Sequence, residues 1–132
     1  MNRALPLIIT NCSNNYGPWQ NPEKLIPTII YNALKNKPIP IYGTGKNIRD
    51  WIYVYDHIDA IFKLHQSKIT NEVFNIGASN EKSNIELASL VIDYLDKIYK
   101  KSNSNRRIKF VEDRKGHDFR YAIDSKKLNK AV

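Results

Sequence analysis

Residues 5–18 read Leu-Pro-Leu-Ile-Ile-Thr-Asn-Cys-Ser-Asn-Asn-Tyr-Gly-Pro, an apolar run that passes directly into a polar one. The run from Leu5 to Thr10 is apolar at consecutive positions and contains β-branched residues, which predicts a strand buried on both faces of a sheet. We predict a polar loop from Asn11 to Gln20. Ligands of α/β sheets bind beyond the carboxyl ends of the strands, so this loop is a candidate binding segment.

Strand and helix patterns alternate along the rest of the chain. Apolar residues recur at helical spacing over 25–34 and 85–98, and Ser83 with Glu86 has the spacing of a capping box. Asp56 is a candidate cap for a helix between these two. Extended segments are predicted at 38–42, 48–54, 73–77, 108–111 and 121–123, before a short final helix. The alternation indicates an α/β (mixed α+β) domain.

Length and composition restrict the class of protein. The chain has 132 residues, of which 42% are hydrophobic, and this is enough for one modest core. No run approaches the roughly 18 to 20 apolar residues of a membrane span, so we predict no membrane association. Cys12 is the single cysteine, and no secretory signal is evident, which together predict a cytoplasmic protein.

The net charge of +8 is concentrated at one end of the chain. Residues 97–132 contain twelve Lys and Arg against four Asp and Glu, whereas the charges of residues 1–96 cancel. A solvated surface and a site for anionic phosphates both explain this excess. We predict no nucleic-acid binding, because the aromatic residues do not interleave with the charges as a stacking platform requires.

Three polar segments are candidates for ligand contacts, each with an ordinary structural alternative. Asn14 and Asn15 offer amide donors and acceptors, but Asn also favours turns. Arg49 matches the geometry of a phosphate, but an ion pair with Asp50 is the alternative. The cation-rich segment 113–121 suits a phosphate or a plain charged turn.

Metal and nucleophile chemistry are not expected. The histidines at 57, 65 and 117 have no Cys or carboxylate at ligand spacing, so we predict no metal site. The five glycines do not form the glycine-rich turn that binds a dinucleotide between a first strand and helix.

Seven segments in this order resemble one enzyme family. They are Thr10–Pro18, Pro22–Pro27, Pro40–Gly45, Ile48–Val54, Phe74–Gly77, Asn80–Asn84 and Asp113–Asp118. Together they look like the C-terminal, substrate-binding part of the dTDP-glucose 4,6-dehydratases, which are extended short-chain dehydrogenases/reductases. Related epimerases share the Asn-Tyr-Gly-Pro motif. The combination of Arg49-Asp50-Trp51 with the Gly116-His117-Asp118 segment is more specific to the dehydratases.

The resemblance implies an NAD-dependent lyase acting on dTDP-glucose, in deoxysugar and cell-surface polysaccharide synthesis. In the family, NAD oxidises the C4 hydroxyl of the sugar, water leaves across C5 and C6, and the hydride returns to C6. The catalytic Tyr-Lys pair, the acid–base residues and the NAD loop lie upstream of the matching segments. We therefore assign no catalytic residue to this chain and do not expect it to bind NAD alone.

The resemblance also implies binding residues and a division of the chain. Residues 1–20 correspond to the last part of a Rossmann-type sheet with its ligand loop, and residues 21–132 to a substrate-binding domain that is truncated at its C-terminal end. Asn15 is expected to reach NAD. The residues expected to contact the dTDP-sugar are Asn14, Lys24, Leu25, Pro40, Ile41, Tyr42, Arg49, Asn84, Arg114 and His117.

A chain of this kind is expected to lack neighbours for its first strand. We expect that strand to pair with a separate N-terminal Rossmann half or with a second copy of the chain, because an unpaired edge promotes association. A fragment of a related NDP-sugar epimerase and a non-catalytic nucleotide-binding module are the alternative functions.

Overall fold

The computed structural model describes residues 5–100 and 107–132, in which helices and strands alternate as predicted. The mixed α/β class is therefore confirmed. The helices are α1 (Leu25–Leu34), α2 (Val54–Gln66), α3 (Asn84–Tyr99) and α4 (Lys126–Ala131). The strands are β1 (Ile8–Cys12), β2 (Asn14–Tyr16), β3 (Ile39–Tyr42), β4 (Ile48–Tyr53), β5 (Glu72–Ile76), β6 (Glu81–Ser83), β7 (Ile108–Val111) and β8 (Arg120–Tyr121).

The chain forms two compact units, and three parallel strand pairs lie within them. The first unit comprises the described residues of 1–18, 50–81 and 121–132, and the second those of 19–49 and 82–120. β1 pairs with β5, β2 with β4, and β3 with β7, each in parallel. β2, β4 and β6 are neighbours in that order in one sheet, and β8 also pairs with β4.

The first unit is built on an apolar cluster that α2, α4 and the strands share. Its buried members are Ile52, Leu64, Phe74, Ile76 and Leu128. They come from β4, α2, β5 and α4, so one core holds together segments that are distant in the chain.

A buried carboxylate fixes the turn that follows β5 in this unit. Asp50 is only 1% exposed, and its two oxygens accept the backbone N–H groups of Ala78 at 3.1 Å and Asn80 at 2.7 Å. Ser125 closes the same turn, because its hydroxyl accepts from the N–H of Gly77 at 2.7 Å and donates to the Gly77 carbonyl at 3.1 Å. These four contacts satisfy polar backbone groups that burial would otherwise leave unpaired.

The second unit packs α1 and α3 against the strand pair of β3 and β7. Its buried cluster consists of Ile29, Ala33, Ile39, Ile41, Ala88 and Ile92. The predicted capping box begins α3, since the Ser83 hydroxyl accepts from the N–H of Glu86 and the Glu86 carboxylate accepts from the N–H of Ser83. This prediction is confirmed.

Three local predictions were wrong. The segment from Asn11 to Gln20 is not a loop throughout, because Asn11 and Cys12 continue β1 and residues 14–16 form β2. β1 is not buried on both faces: Ile9 is 51% exposed, and the next two residues, Thr10 and Asn11, which point to opposite faces, are also exposed. Asp56 lies in the first turn of α2 and not at its cap, which is Tyr53.

The division into residues 1–20 and 21–132 remains a prediction. The first break between the compact units falls nearby, between Pro18 and Trp19, but later segments return to the first unit. Compactness alone does not assign either unit to a Rossmann-type sheet or to a substrate-binding domain.

We predict that Asp50→Asn destabilises the first unit by about 2–3 kcal/mol, because an amide NH₂ then faces a buried backbone N–H. Amide exchange at Ala78 and Asn80 should accelerate accordingly, as measured by hydrogen–deuterium exchange. Asp59→Asn is the matched control: Asp59 is exposed and forms an i,i+4 pair with Lys63, so its loss should cost about 0.5 kcal/mol or less. Equal exchange rates in the two variants would contradict this role of Asp50.

Candidate functional site

The end of β3 supplies an aromatic surface in the second unit. Ile39 and Ile41 point into the core and are fully buried, whereas Pro40 and Tyr42 alternate to the other face and are half-buried. The guanidinium of Arg114 lies 4.3 Å from the centre of the Tyr42 ring, in a cation–π contact. Ile41 can therefore offer a ligand only its backbone, while Tyr42 and Arg114 form one surface.

The turn after β3 packs closely against Asp113. Gly43 has φ +54°, which strains the backbone of any other residue, and a Cβ at this position would lie 2.8 Å from an oxygen of Asp113, so that side chain would have to move. The other carboxylate oxygen of Asp113 accepts from the N–H of Arg114 and from Nδ1 of His117, both at 2.8 Å. The hydrogen bond from His117, followed by that from Arg114, lowers the pKa of Asp113.

The beginning of β4 is joined to the same 113–118 segment. Arg49 donates to the carbonyl of Asp118 at 2.7 Å and to that of Ile48 at 2.6 Å. Asn47 is buried and donates to the same Asp118 carbonyl at 3.2 Å, and its own carbonyl accepts the N–H of Asn84 at 3.0 Å. These main-chain contacts of Arg49 replace the ion pair with Asp50 that the sequence left open.

The segment 113–118 thus connects five of the predicted sugar-nucleotide residues, namely Tyr42, Arg49, Asn84, Arg114 and His117. Lys24 and Leu25 lie at the start of α1, where Lys24 is exposed and Leu25 packs against the core that also contains Ile41. Leu25 therefore shares a core with Ile41, the residue that precedes Tyr42 in β3.

Asn14 and Asn15 lie in the first unit, in the short strand β2. Asn14 is in register with Trp51 of β4, and Asn15 with Ile52. The amide of Asn15 donates to the Ser13 carbonyl at 3.1 Å, and its oxygen lies 2.8 Å from Nδ1 of His57. Both asparagines are half-buried and belong to a strand rather than to a loop.

Sequence reasoning missed four residues of these networks. Asp113 and Asp118 belong to a quoted motif and Asn47 directly precedes another, but nothing local indicated that the Asp118 carbonyl accepts from two side chains. His57 was considered only as a metal ligand, and its contact with Asn15 spans 42 positions.

The described residues contain neither a metal-ligand cluster nor a helix that could span a membrane. Among residues 5–100 and 107–132, no three His, Cys, Asp or Glu side chains are grouped as a metal site would need. Over the same ranges, no helix has the length and apolar character required to traverse a membrane.

Comparisons with known proteins show the family to which the chain belongs. Residues 1–77 match the model of the NAD dependent epimerase/dehydratase family. The chain belongs to this family. It is 52% identical to dTDP-glucose 4,6-dehydratase 1 of Escherichia coli (strain K12), over 98% of this chain and 36% of that protein. The chain therefore spans about a third of the length of the curated relatives it matches, and its resemblance to the dehydratases is confirmed.

Solved structures of the family have the same fold. The dTDP-glucose 4,6-dehydratase of Bacillus anthracis in complex with NAD has a TM-score of 0.81 and 44% identity, over 94% of this chain and 37% of that one. UDP-glucuronic acid 4-epimerase of Bacillus cereus, in complex with UDP-glucuronic acid and NAD, has a TM-score of 0.83 but 28% identity, over 96% and 39% of the two chains. The fold is thus that of the corresponding part of these extended short-chain dehydrogenases/reductases, and sequence identity separates the two relatives better than the TM-score does.

We predict that His117→Leu raises the pKa of Asp113 towards the ordinary value of about 4, because the strongest donor to the carboxylate is lost. In the unchanged chain this pKa is lowered, so the stabilisation from Asp113 is present above the ordinary value and is lost as the pH falls through the lowered one. A carboxyl-carbon NMR titration measures both cases. His65→Leu is the control and should leave the pKa of Asp113 unchanged. The same titration midpoint in the unchanged chain and in both variants would refute the role of the His117 hydrogen bond.

Proposed function

We propose that this chain is the sugar-nucleotide-binding part of a dTDP-glucose 4,6-dehydratase, the NAD-dependent lyase that converts dTDP-glucose into dTDP-4-keto-6-deoxyglucose. The observation that carries the proposal is the 113–118 segment, which joins Tyr42, Arg49, Asn84, Arg114 and His117 in one unit. The chain is more similar in sequence to the dehydratases than to the 4-epimerase, and this difference supports the proposal further.

The chemistry of these residues suits a nucleoside diphosphate. Pro40 and Tyr42 present a half-buried apolar and aromatic surface, on which a flat base can rest. Arg114, which is exposed, and Arg49, which is half-buried, provide cations for the diphosphate. Each charge-assisted contact of this kind is worth about 1.5–3 kcal/mol. Lys24, Leu25, Ile41, Asn84 and His117 of the same unit complete the proposed pocket. Asn14, in the first unit, is a further proposed contact to the dTDP-sugar.

Asn15 is the proposed contact to NAD. Its carboxamide suits this role because one donor and one acceptor are held on a strand by Ser13 and His57. When bound in the complete enzyme, NAD supplies the hydride acceptor for the C4 hydroxyl. We assign no catalytic residue to this chain and do not expect it to bind NAD alone. The cytoplasmic location remains an inference from the single cysteine.

Two alternatives are tested by the same ligands. A related epimerase fragment would prefer another nucleotide, and the pairing of Arg49-Asp50-Trp51 with His117-Asp118 argues against it. A non-catalytic nucleotide-binding module would bind the nucleotide without a role in dehydration.

Calorimetric titration with dTDP, UDP and dTDP-glucose tests the proposal. We expect the two thymidine ligands to bind more tightly than UDP, and Arg114→Ala and Arg49→Ala each to weaken binding about tenfold through the loss of a phosphate contact. Arg114 is exposed, so its variant should fold normally.

Arg107→Ala is the matched control for this titration. Arg107 lies in the same unit and, like Arg49, donates to a main-chain carbonyl, that of Ala33 at 3.3 Å. Its loss should leave nucleotide affinity unchanged. Preference for UDP would favour the epimerase alternative, and equal weakening by all three Arg variants would contradict a specific phosphate site.

The proposed partner surface is the uncovered side of β1. Ile9 and Val73, in register on β1 and β5, are 51% and 47% exposed. An apolar strand with one unpaired edge pairs readily with another strand. We infer that this edge binds a separate N-terminal Rossmann half or, without one, a second copy of the chain.

We predict that the chain on its own forms dimers or larger species in sedimentation analysis, and that Ile9→Lys shifts it towards monomer, because a charged residue on an edge strand blocks pairing. Leu90→Lys is the control: Leu90 is similarly exposed but lies on α3, and its replacement should not change the association. A monomer at all concentrations, with β1 protected from amide exchange, would contradict this surface.

A further inference from the structure

His57 has a place in the structure that the proposed binding site does not explain. It lies in the first turns of α2, half-buried, with Nδ1 at 2.8 Å from Oδ1 of Asn15. Its other ring nitrogen, Nε2, is buried and meets no hydrogen-bond partner in the described part of the chain. The ring is thus directed towards a single polar neighbour.

The orientation of the Asn15 amide follows from its second contact. The Ser13 carbonyl can only accept a hydrogen bond, so the Asn15 group that faces it at 3.1 Å must be the NH₂. The amide oxygen therefore faces His57. Because an amide oxygen also only accepts, Nδ1 of His57 must carry the proton.

Burial keeps the other nitrogen without a proton. Desolvation lowers the pKa of His57, which favours the neutral ring near neutral pH. A neutral ring protonated at Nδ1 has only a lone pair at Nε2. A buried acceptor without a hydrogen bond is tolerated better than a buried N–H without one.

We propose that His57 is a positioning residue, which holds the Asn15 carboxamide in one orientation for the cofactor contact. The contact of Asn15 with the cofactor rests on the proposed function, whereas the orientation of its amide rests on the hydrogen bonds alone. If the amide rotated by 180°, its oxygen would face the Ser13 carbonyl and its NH₂ would face the N–H of His57. Both contacts would be repulsive, so the two neighbours define which edge of Asn15 donates and which accepts.

NMR of the ¹⁵N-labelled chain without nucleotide or cofactor tests the proposal. The His57 ring should show a protonated Nδ1 and an unprotonated Nε2. In His57→Leu, the side-chain NH₂ signals of Asn15, assigned by their loss in Asn15→Ala, should shift and exchange with water about tenfold faster. In His57→Asn, whose amide NH₂ can replace the Nδ1 donor, they should stay close to those of the unchanged chain.

His65→Leu, on the same helix, is the control and should leave the Asn15 signals unchanged. A proton on Nε2, or Asn15 signals that are the same in His57→Leu as in the unchanged chain, would overturn the proposal. Should His57→Leu fail to fold, the ring tautomer and the His57→Asn spectrum still decide. Failure here leaves the nucleotide titration unaffected, and absent nucleotide binding leaves these spectra to judge His57, so the two proposals fail separately.

Discussion

The buried carboxylate of Asp50 is the constraint on which the first unit depends. A carboxylate that is 1% exposed is costly to bury unless hydrogen bonds replace the water it loses. The N–H groups of Ala78 and Asn80 do so, which requires the chain after β5 to turn back across Asp50. Gly77 lies inside this turn, where a Cβ would clash with an Asp50 oxygen. The motif Phe-Asn-Ile-Gly therefore ends in glycine because the carboxylate occupies the space of a side chain.

This arrangement also explains the behaviour of Arg49. Because backbone N–H groups already satisfy Asp50, the guanidinium next to it in sequence is not needed as a counterion. It donates instead to the carbonyls of Ile48 and Asp118. A pattern of adjacent opposite charges favours an ion pair on sequence grounds, but neighbouring residues of a strand point to opposite faces, so the two side chains are separated by the pleat itself.

In the second unit, the 113–118 turn is likewise held in place by contacts between residues distant in sequence. Lys115 lies in the middle of this turn. The turn does not depend on that residue. It is held by Asp113 against Gly43, by the bond from His117 to Asp113, and by the Asp118 carbonyl, while Lys115 and Gly116 are exposed. The contacts of Arg114 are thus set by its neighbours on both sides.

Local patterns predicted most elements, and long-range pairing accounts for most errors. The capping box at Ser83 and the apolar stripe of α3 depend on residues within one helix, so spacing was sufficient to find them. The strand Asn14–Tyr16 is polar and three residues long, and it exists because Trp51–Tyr53 pairs with it. The exposure of Ile9 depends on what packs over the face of β1, and the contact of His57 with Asn15 depends on how α2 packs. None of these has a signature within a local window of sequence.

That polar strand gives a physical reason for assigning two ligands to two consecutive asparagines. In a loop, Asn14 and Asn15 could both turn towards one ligand. In β2 they point to opposite faces, because side chains alternate along a strand. On one face, Asn15 lies beside the core residue Ile52 and contacts His57 of α2. On the other face, Asn14 lies on the same side as Tyr16, whose ring centre is 5.5 Å from that of Tyr53. The proposed separation, with the sugar nucleotide at Asn14 and NAD at Asn15, therefore requires no rearrangement of the backbone, since the pleat of a three-residue strand already directs the two amides apart.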